Sequence, residues 1–216
     1  MEQTERLVWT NAGTKRQIEC IQKLYQKAFP KEERKPFELI LQKQKEGFTE
    51  ILALEDTKGN FYGLGITILC KDIVLLDYFA VADEKRGAGI GSEALRLMQE
   101  RCRGKRFILE IENTETEAEN HVQRIRRKDF YIRNGMRGMG YLVELAGVGM
   151  EVMGYNTYLD YGEYQEIYET VYPERQLVRK MNRESEYGKG QTFESGHDQI
   201  SGGGSHAAEP HSGCVS

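Results

Sequence analysis

LLDYFAVADEKRGAGIGSEALRLM, residues 75–98, decides how this chain is read. It starts as an apolar strand, passes Gly87, Gly89 and Gly91, and turns at once into helical spacing. Ile90, Ala94, Leu97, Met98 and Cys102 fall on one helix face. A helix start presents backbone N–H groups without intrahelical acceptors, at the positive end of the helix dipole. Glycines let a large anion approach that backbone with no Cβ in the way. A strand, a glycine turn and a helix in this order therefore predict a phosphate site, with Lys85 and Arg86 adding positive charge at its rim. Two familiar phosphate motifs fail. The P-loop requires Gly-Lys-Ser/Thr, and here Ser92 and Glu93 follow Gly91. The dinucleotide fingerprint requires GxGxxG between βαβ strands, and here Ser92 stands at the third glycine position after strands joined by hairpin turns.

Outward from this segment, residues 50–55, 61–70 and 73–81 read as an antiparallel meander, with turns at Lys58-Gly59-Asn60 and Lys71-Asp72. Before it come a strand over 6–10 and a helix opening at Thr14 or Lys15. That helix carries Ile18, Ile21, Leu24 and Ala28 on one face and stops at Pro30. A second helix begins with Pro36 at its first position. After the glycine turn and its helix, the pattern predicts a strand over 107–112 and a helix over 119–134 ended by Gly135. A closing hairpin over 136–145 and 148–155 and a last helix over 163–171 complete it. One domain is expected over residues 1–182. The Gly/Ser-rich stretch 183–216 is expected to be disordered.

Composition narrows the function. With 39% hydrophobic and 30% charged residues, the 216-residue chain reads as soluble and globular, and its formal charge of −4 argues against general nucleic-acid binding. No apolar run approaches the roughly 20 residues of a membrane helix. The start, MEQTERLVW, lacks the pattern of a signal peptide, so a cytoplasmic location is expected. Cys20, Cys70 and Cys102 sit in apolar periodic segments and read as reduced core thiols. His206, His211 and Cys214 lack a zinc spacing, so no metal site is expected.

Arg86-Gly87-Ala88-Gly89-Ile90-Gly91 fits R/Q-x-x-G-x-G/A, and Phe130-Tyr131-Ile132-Arg133-Asn134-Gly135-Met136 resembles FYxxxGF. Together they resemble the coenzyme-A signature and the acid-bearing helix end of the GNAT superfamily of N-acetyltransferases. The resemblance covers roughly residues 7–155. It implies an α/β (α+β) fold with a mixed, mostly antiparallel central sheet flanked by helices and splayed between strands 4 and 5. It implies acetyl-CoA as acyl donor, an amine as acceptor, and homodimers as a frequent assembly. The backbones of Phe79, Ala80 and Val81 would pair with the pantetheine arm. Arg86, Gly87, Ala88, Gly89, Ile90, Gly91 and Ser92 would hold the pyrophosphate. Members often carry Asn and then Ala ahead of the tyrosine, where this chain has Arg124 and Arg127.

The chemistry so implied is direct attack of an amine on a thioester. An alkyl ammonium with a pKa of about 10 must lose a proton first, and the departing thiolate must gain one. Tyr131 occupies the family's acid position. Asp77 stands where related enzymes place a base, and strand alternation sets Leu75, Asp77 and Phe79 on one face, among apolar neighbours that would raise its pKa. Ion pairing to a lysine or arginine is the other reading of Asp77, and Glu110 and Glu112 are the alternative bases. The Val81 N–H is the candidate oxyanion donor. The cluster Arg124, Arg126, Arg127 and Lys128 reads as a solvated face or as a grip on the coenzyme's 3′-phosphate. Tyr155 to Tyr172 read as helix packing or as the wall of an acceptor cleft bordered by residues 28–37. A coenzyme-A-binding regulatory or interaction module without catalysis is the competing function.

Overall fold

A computed structural model describes residues 6–87, 89–116, 118–174 and 178–181 of the chain. The stretch 183–216, expected to be disordered, lies outside the described residues, as do His206, His211 and Cys214. Among the described residues eight strands form one sheet: β1 (Leu7–Asn11), β2 (Thr49–Asp56), β3 (Phe61–Cys70), β4 (Ile73–Val81), β5 (Arg106–Glu112), β6 (Met136–Leu145), β7 (Val148–Tyr155) and β8 (Val178–Met181). Their order is β1-β2-β3-β4-β5-β7-β6-β8. All neighbours are antiparallel except β4 and β5, which run parallel. The closing hairpin thus enters with its second strand innermost.

Among the described residues five α-helices cover the sheet: α1 (Lys15–Ala28), α2 (Phe37–Lys45), α3 (Ile90–Arg101), α4 (His121–Arg133) and α5 (Tyr161–Val171). On one face, Ala94, Leu95 and Met98 of α3 and Tyr131 of α4 pack on Trp9, Leu52, Leu54, Val74 and Leu76. On the other face, α1 and α2 contribute Ile21, Leu24, Tyr25, Phe37 and Ile40. Beside them α5 contributes Tyr164, Ile167, Tyr168 and Val171. Each fully buried aliphatic side chain of this kind contributes roughly 1.5–3 kcal/mol by leaving water. Thr14 starts α1 through a capping box with Gln17, and Asp160 starts α5 the same way with Glu163. Pro36 caps α2 from outside and is not its first residue. Four-residue β8 carries no alternation that marks it in the sequence.

Two irregularities in β4 shape everything downstream. First, β4 pairs with β5 only from Ile73↔Arg106 to Leu76↔Leu109. Beyond that point β5 stays with β7, while β4 stays with β3. The sheet is therefore splayed between its fourth and fifth strands. Second, Leu76 lies opposite Thr67 and Tyr78 opposite Ile66, so Asp77 has no residue of its own across the ladder. This β-bulge inverts the alternation. Leu75 packs toward α5 and Tyr78 toward α1, whereas Phe79 lies on the opposite face, its ring 6.3 Å from that of Trp9. The expected shared face of Asp77 and Phe79 is thereby corrected.

Close approach of β3 holds β4 in this path. A Cβ on Gly63 would stand 2.5 Å from the Ala80 carbonyl oxygen, a backbone atom that a rotamer change does not move. Gly63→Ala is expected to destabilise the fold by about 1–3 kcal/mol through overpacking. Gly13→Ala, whose Cβ would meet nothing nearer than 3.9 Å, should stay within about 0.5 kcal/mol. Urea unfolding of the two variants checks the contrast.

Candidate active site

The parting of β4 and β5 opens a cavity of about 260 Å³. Leu76, Asp77, Phe79, Ala80 and Val81 form its β4 wall and Glu110 its β5 wall. Ala28 and Phe29 border it at the end of α1, while Arg127 and Tyr131 border it from α4. Backbone direction along β4 follows from its flank. Ala82 donates its N–H to the Tyr62 carbonyl on β3 at 2.9 Å. Alternation then commits the amide groups of Ala80 to β3 as well, and turns those of Phe79 and Val81 into the gap. Of the three backbones expected to meet a pantetheine arm, Ala80 is therefore corrected: it lines the cavity, but its polar groups belong to the ladder.

Directly beyond, the chain makes a short 3₁₀ turn (Asp83–Lys85) and reaches the glycines. Gly89 caps α3 at φ 78°, a left-handed conformation that suits glycine, and a Cβ there would meet nothing within 4 Å. The helix's Glu93 N–H donates to Gly89 O at 3.0 Å, and Ile90 N–H donates to Gly87 O at 3.1 Å. The Ile90 amide thus closes the turn, and Gly91 and Ser92 follow it as the next residues of the helix start. Ala88 lies outside the described residues. Arg86 staples the turn: its guanidinium meets Asp83 at 2.8 Å and its Nε donates to the Val81 carbonyl at 3.3 Å. Its charge is shared with an acid that also holds Lys27 at 2.7 Å.

Tyr131 is 8% exposed and lines the cavity from α4. Removal from water raises its phenol to about 12, and the nearby Arg127 charge opposes that only in part. The phenol therefore keeps its proton at neutral pH.

Asp77 and Glu110 line the cavity, Glu112 lies two residues further along β5, and the three carboxyl groups differ. Asp77 is the ion-pair partner of Lys35, whose Nζ donates to both carboxylate oxygens at 2.7 and 2.8 Å. Ion pairing is thus the reading of Asp77 that its geometry supports. Glu112 is buried and taken up by Arg124 at 2.9 Å and Arg127 at 2.7 Å. Those two arginines, with Lys128 on Glu151 at 2.6 Å, tie α4 to the sheet. They are therefore not a uniformly solvated face. Glu110 accepts hydrogen bonds from the Tyr164 and Tyr168 hydroxyls at 2.5 and 2.7 Å. Loss of solvation, then the Asp77 charge, raise its pKa above the ordinary carboxylate value, with the two tyrosine bonds and Lys35 opposing. Tyr164 and Tyr168 thus pack α5, the first of the two readings of the tyrosines, and their hydroxyls bond to Glu110 of the cavity wall.

Lys35 escaped the sequence reading. Its place depends on Tyr25, whose hydroxyl donates to the Lys35 carbonyl at 3.0 Å, and on Tyr78, whose hydroxyl accepts the Lys35 N–H at 3.0 Å and donates to Glu33 O at 3.0 Å. Phe29 reaches the cavity as expected of this loop, whereas Phe37 is core. Among the described residues no group of three or more His, Cys, Asp or Glu side chains is placed to hold a metal ion, and no helix is long and apolar enough to cross a membrane.

No family model matches the sequence, and no curated protein matches it. Solved structures do. A proposed acetyltransferase of the GNAT family from Bacteroides thetaiotaomicron matches with a TM-score of 0.61 at 18% identity, over 77% of this chain and 95% of that chain. Spermidine N-acetyltransferase from Vibrio cholerae, in complex with CoA and spermine, matches with a TM-score of 0.53 at 14% identity, over 68% of this chain and 94% of that chain. The chain has the GNAT fold.

The Glu110 environment carries a sign for stability. Its folded pKa lies above the unfolded one, so the native state holds the proton more tightly. The contribution is fully present below the ordinary carboxylate pKa and is lost as pH rises through the raised value. Glu110→Gln keeps an acceptor for the tyrosines and removes the titration. Urea unfolding across a pH series should show the wild type losing stability over that window relative to the variant.

Proposed function

We propose that the chain is an N-acetyltransferase that takes an acetyl group from acetyl-coenzyme A and passes it to a primary amine by direct attack. One observation carries this reading: the backbone of Phe79 and Val81 turns into the gap between β4 and β5, one short turn ahead of an open glycine helix start and opposite Tyr131. Amides buried with a ligand need partners, and a pantetheine arm is a chain of amides. The strand edge receives it, and the turn at Gly87, Gly89, Gly91 and Ser92 receives the pyrophosphate. Structural neighbours of the same fold include an enzyme that acetylates spermidine, which supports an amine acceptor.

The residues divide the proton work. Glu110, with its raised pKa, accepts the proton that the incoming ammonium must lose, directly or through water. The Val81 N–H, turned into the gap, stabilises the oxyanion of the tetrahedral intermediate. Tyr131 delivers its phenolic proton to the departing sulfur as the C–S bond breaks. Asp77, proposed from the sequence as a base, has a different partner in Lys35, and its carboxylate serves that side chain first.

Tyr131→Phe removes the proton donor and keeps the ring that packs against the core. Turnover in a thiol-release assay with acetyl-coenzyme A and a panel of amines is expected to fall by about 10²–10⁴-fold, while calorimetric affinity for the coenzyme is retained. Undiminished turnover in this variant would remove Tyr131 from the chemistry.

A further inference from the structure

Resting on the acetyl-transfer reading above, we propose that Lys35 is itself an acetyl acceptor: the enzyme marks its own ε-amino group within the same molecule. The segment between the first two helices is pinned by the hydroxyls of Tyr25 and Tyr78, and it sets Lys35 against Asp77, which lines the β4–β5 gap. There the amino group lies in bidentate contact with Asp77, a cavity-lining residue, and its side chain is only 16% exposed. Three tyrosine rings surround the same nitrogen, with centroids at 5.3 Å (Tyr78), 5.9 Å (Tyr168) and 5.5 Å (Tyr172). A carboxylate and aromatic faces are the chemistry that holds an alkyl ammonium. An amine acceptor needs this environment, and here the chain's own lysine occupies it, in contact with Asp77 of the cavity that Tyr131 also lines.

The step balances without any further reagent. The Lys35 ammonium passes one proton to the Asp77 carboxylate in contact with it, and from there to water. The freed amine attacks the thioester carbonyl, so a N–C bond forms and the C–S bond breaks with its electron pair going to sulfur. Tyr131 protonates that sulfur. The second proton leaving nitrogen makes up the one Tyr131 gave. The products are acetyl-Lys35, free thiol and one proton. Holding the nucleophile in place converts a bimolecular encounter into an intramolecular one, which explains why a buried lysine would outrun the exposed ones. The product is a neutral amide beneath the three rings, and Asp77 loses its cation.

The experiment uses the purified full chain, first treated with a deacetylase, then incubated with acetyl-coenzyme A alone. Peptide mass mapping over time reads the outcome. The expected result is one acetyl group per chain, on Lys35, with a rate first order in protein and unchanged on dilution. Lys35→Arg should take up no acetyl group, and Tyr131→Phe should slow the mark by about a hundredfold. Acetyl groups spread over solvent-facing lysines such as Lys15, with Lys35 unmodified, would overturn the inference. So would an unmarked Lys35 in protein that acetylates a supplied amine, and that outcome leaves the enzymatic reading standing. Absence of calorimetric binding of acetyl-coenzyme A would overturn both.

Discussion

Beyond Leu76 and Leu109 the fourth and fifth strands stop sharing hydrogen bonds, and the site depends on that parting. Each strand keeps its other neighbour, so the gap costs the sheet only a few ladder bonds while exposing a strand edge inside the molecule. Backbone polar groups removed from water need partners. A strand edge facing a cavity is therefore a surface shaped for an extended ligand with amides of its own. The bulge at Asp77 lies at the mouth of the gap and decides which side chains point where. Leu76 and Phe79 serve the core beneath α3 and α4, and Asp77 serves the opposite side. A regular strand would put Phe79 on the face that Asp77 uses.

Electrostatics then sort the carboxyl groups that ring the gap. Glu112 is neutralised by two arginines and belongs to the seam between α4 and β5. Asp77 is neutralised by Lys35. Glu110 meets only hydroxyl donors and is held above the ordinary carboxylate range by desolvation. Neighbouring acids are thereby set in different environments, one desolvated and two in ion pairs. Tyr131 is shifted upward for the same reason. A desolvated carboxyl group on β5 and a buried phenol on α4 therefore line the same cavity.

Much of this was legible in the residues. β3, β4 and the hairpin of β6 and β7 were read at their observed ends, because two-residue turns punctuate strongly apolar runs there. The glycine turn announced itself, and Tyr131 stood where the motif places it. What escaped has physical reasons. A bulge adds one residue and leaves no mark in a hydrophobic pattern, so the face of Asp77 was misjudged relative to Phe79. The commitment of the Ala80 amides to β3 and of the Ile90 amide to Gly87 is a matter of hydrogen-bond direction, which side-chain chemistry does not encode. Lys35 acquires its place from tyrosines 10 and 43 positions away in sequence. Four-residue β8 is too short to show a period.

The central claim is that a coenzyme thioester lies along the exposed edge of β4 with its phosphates at the head of α3. Amide hydrogen exchange of the full chain, with and without coenzyme A, tests it most directly because it reports on those backbone groups themselves. Slowed exchange concentrated in residues 79–81 and 87–92 is the predicted result. Unaltered exchange in both segments at saturating coenzyme, or protection confined to another part of the sheet, would contradict it.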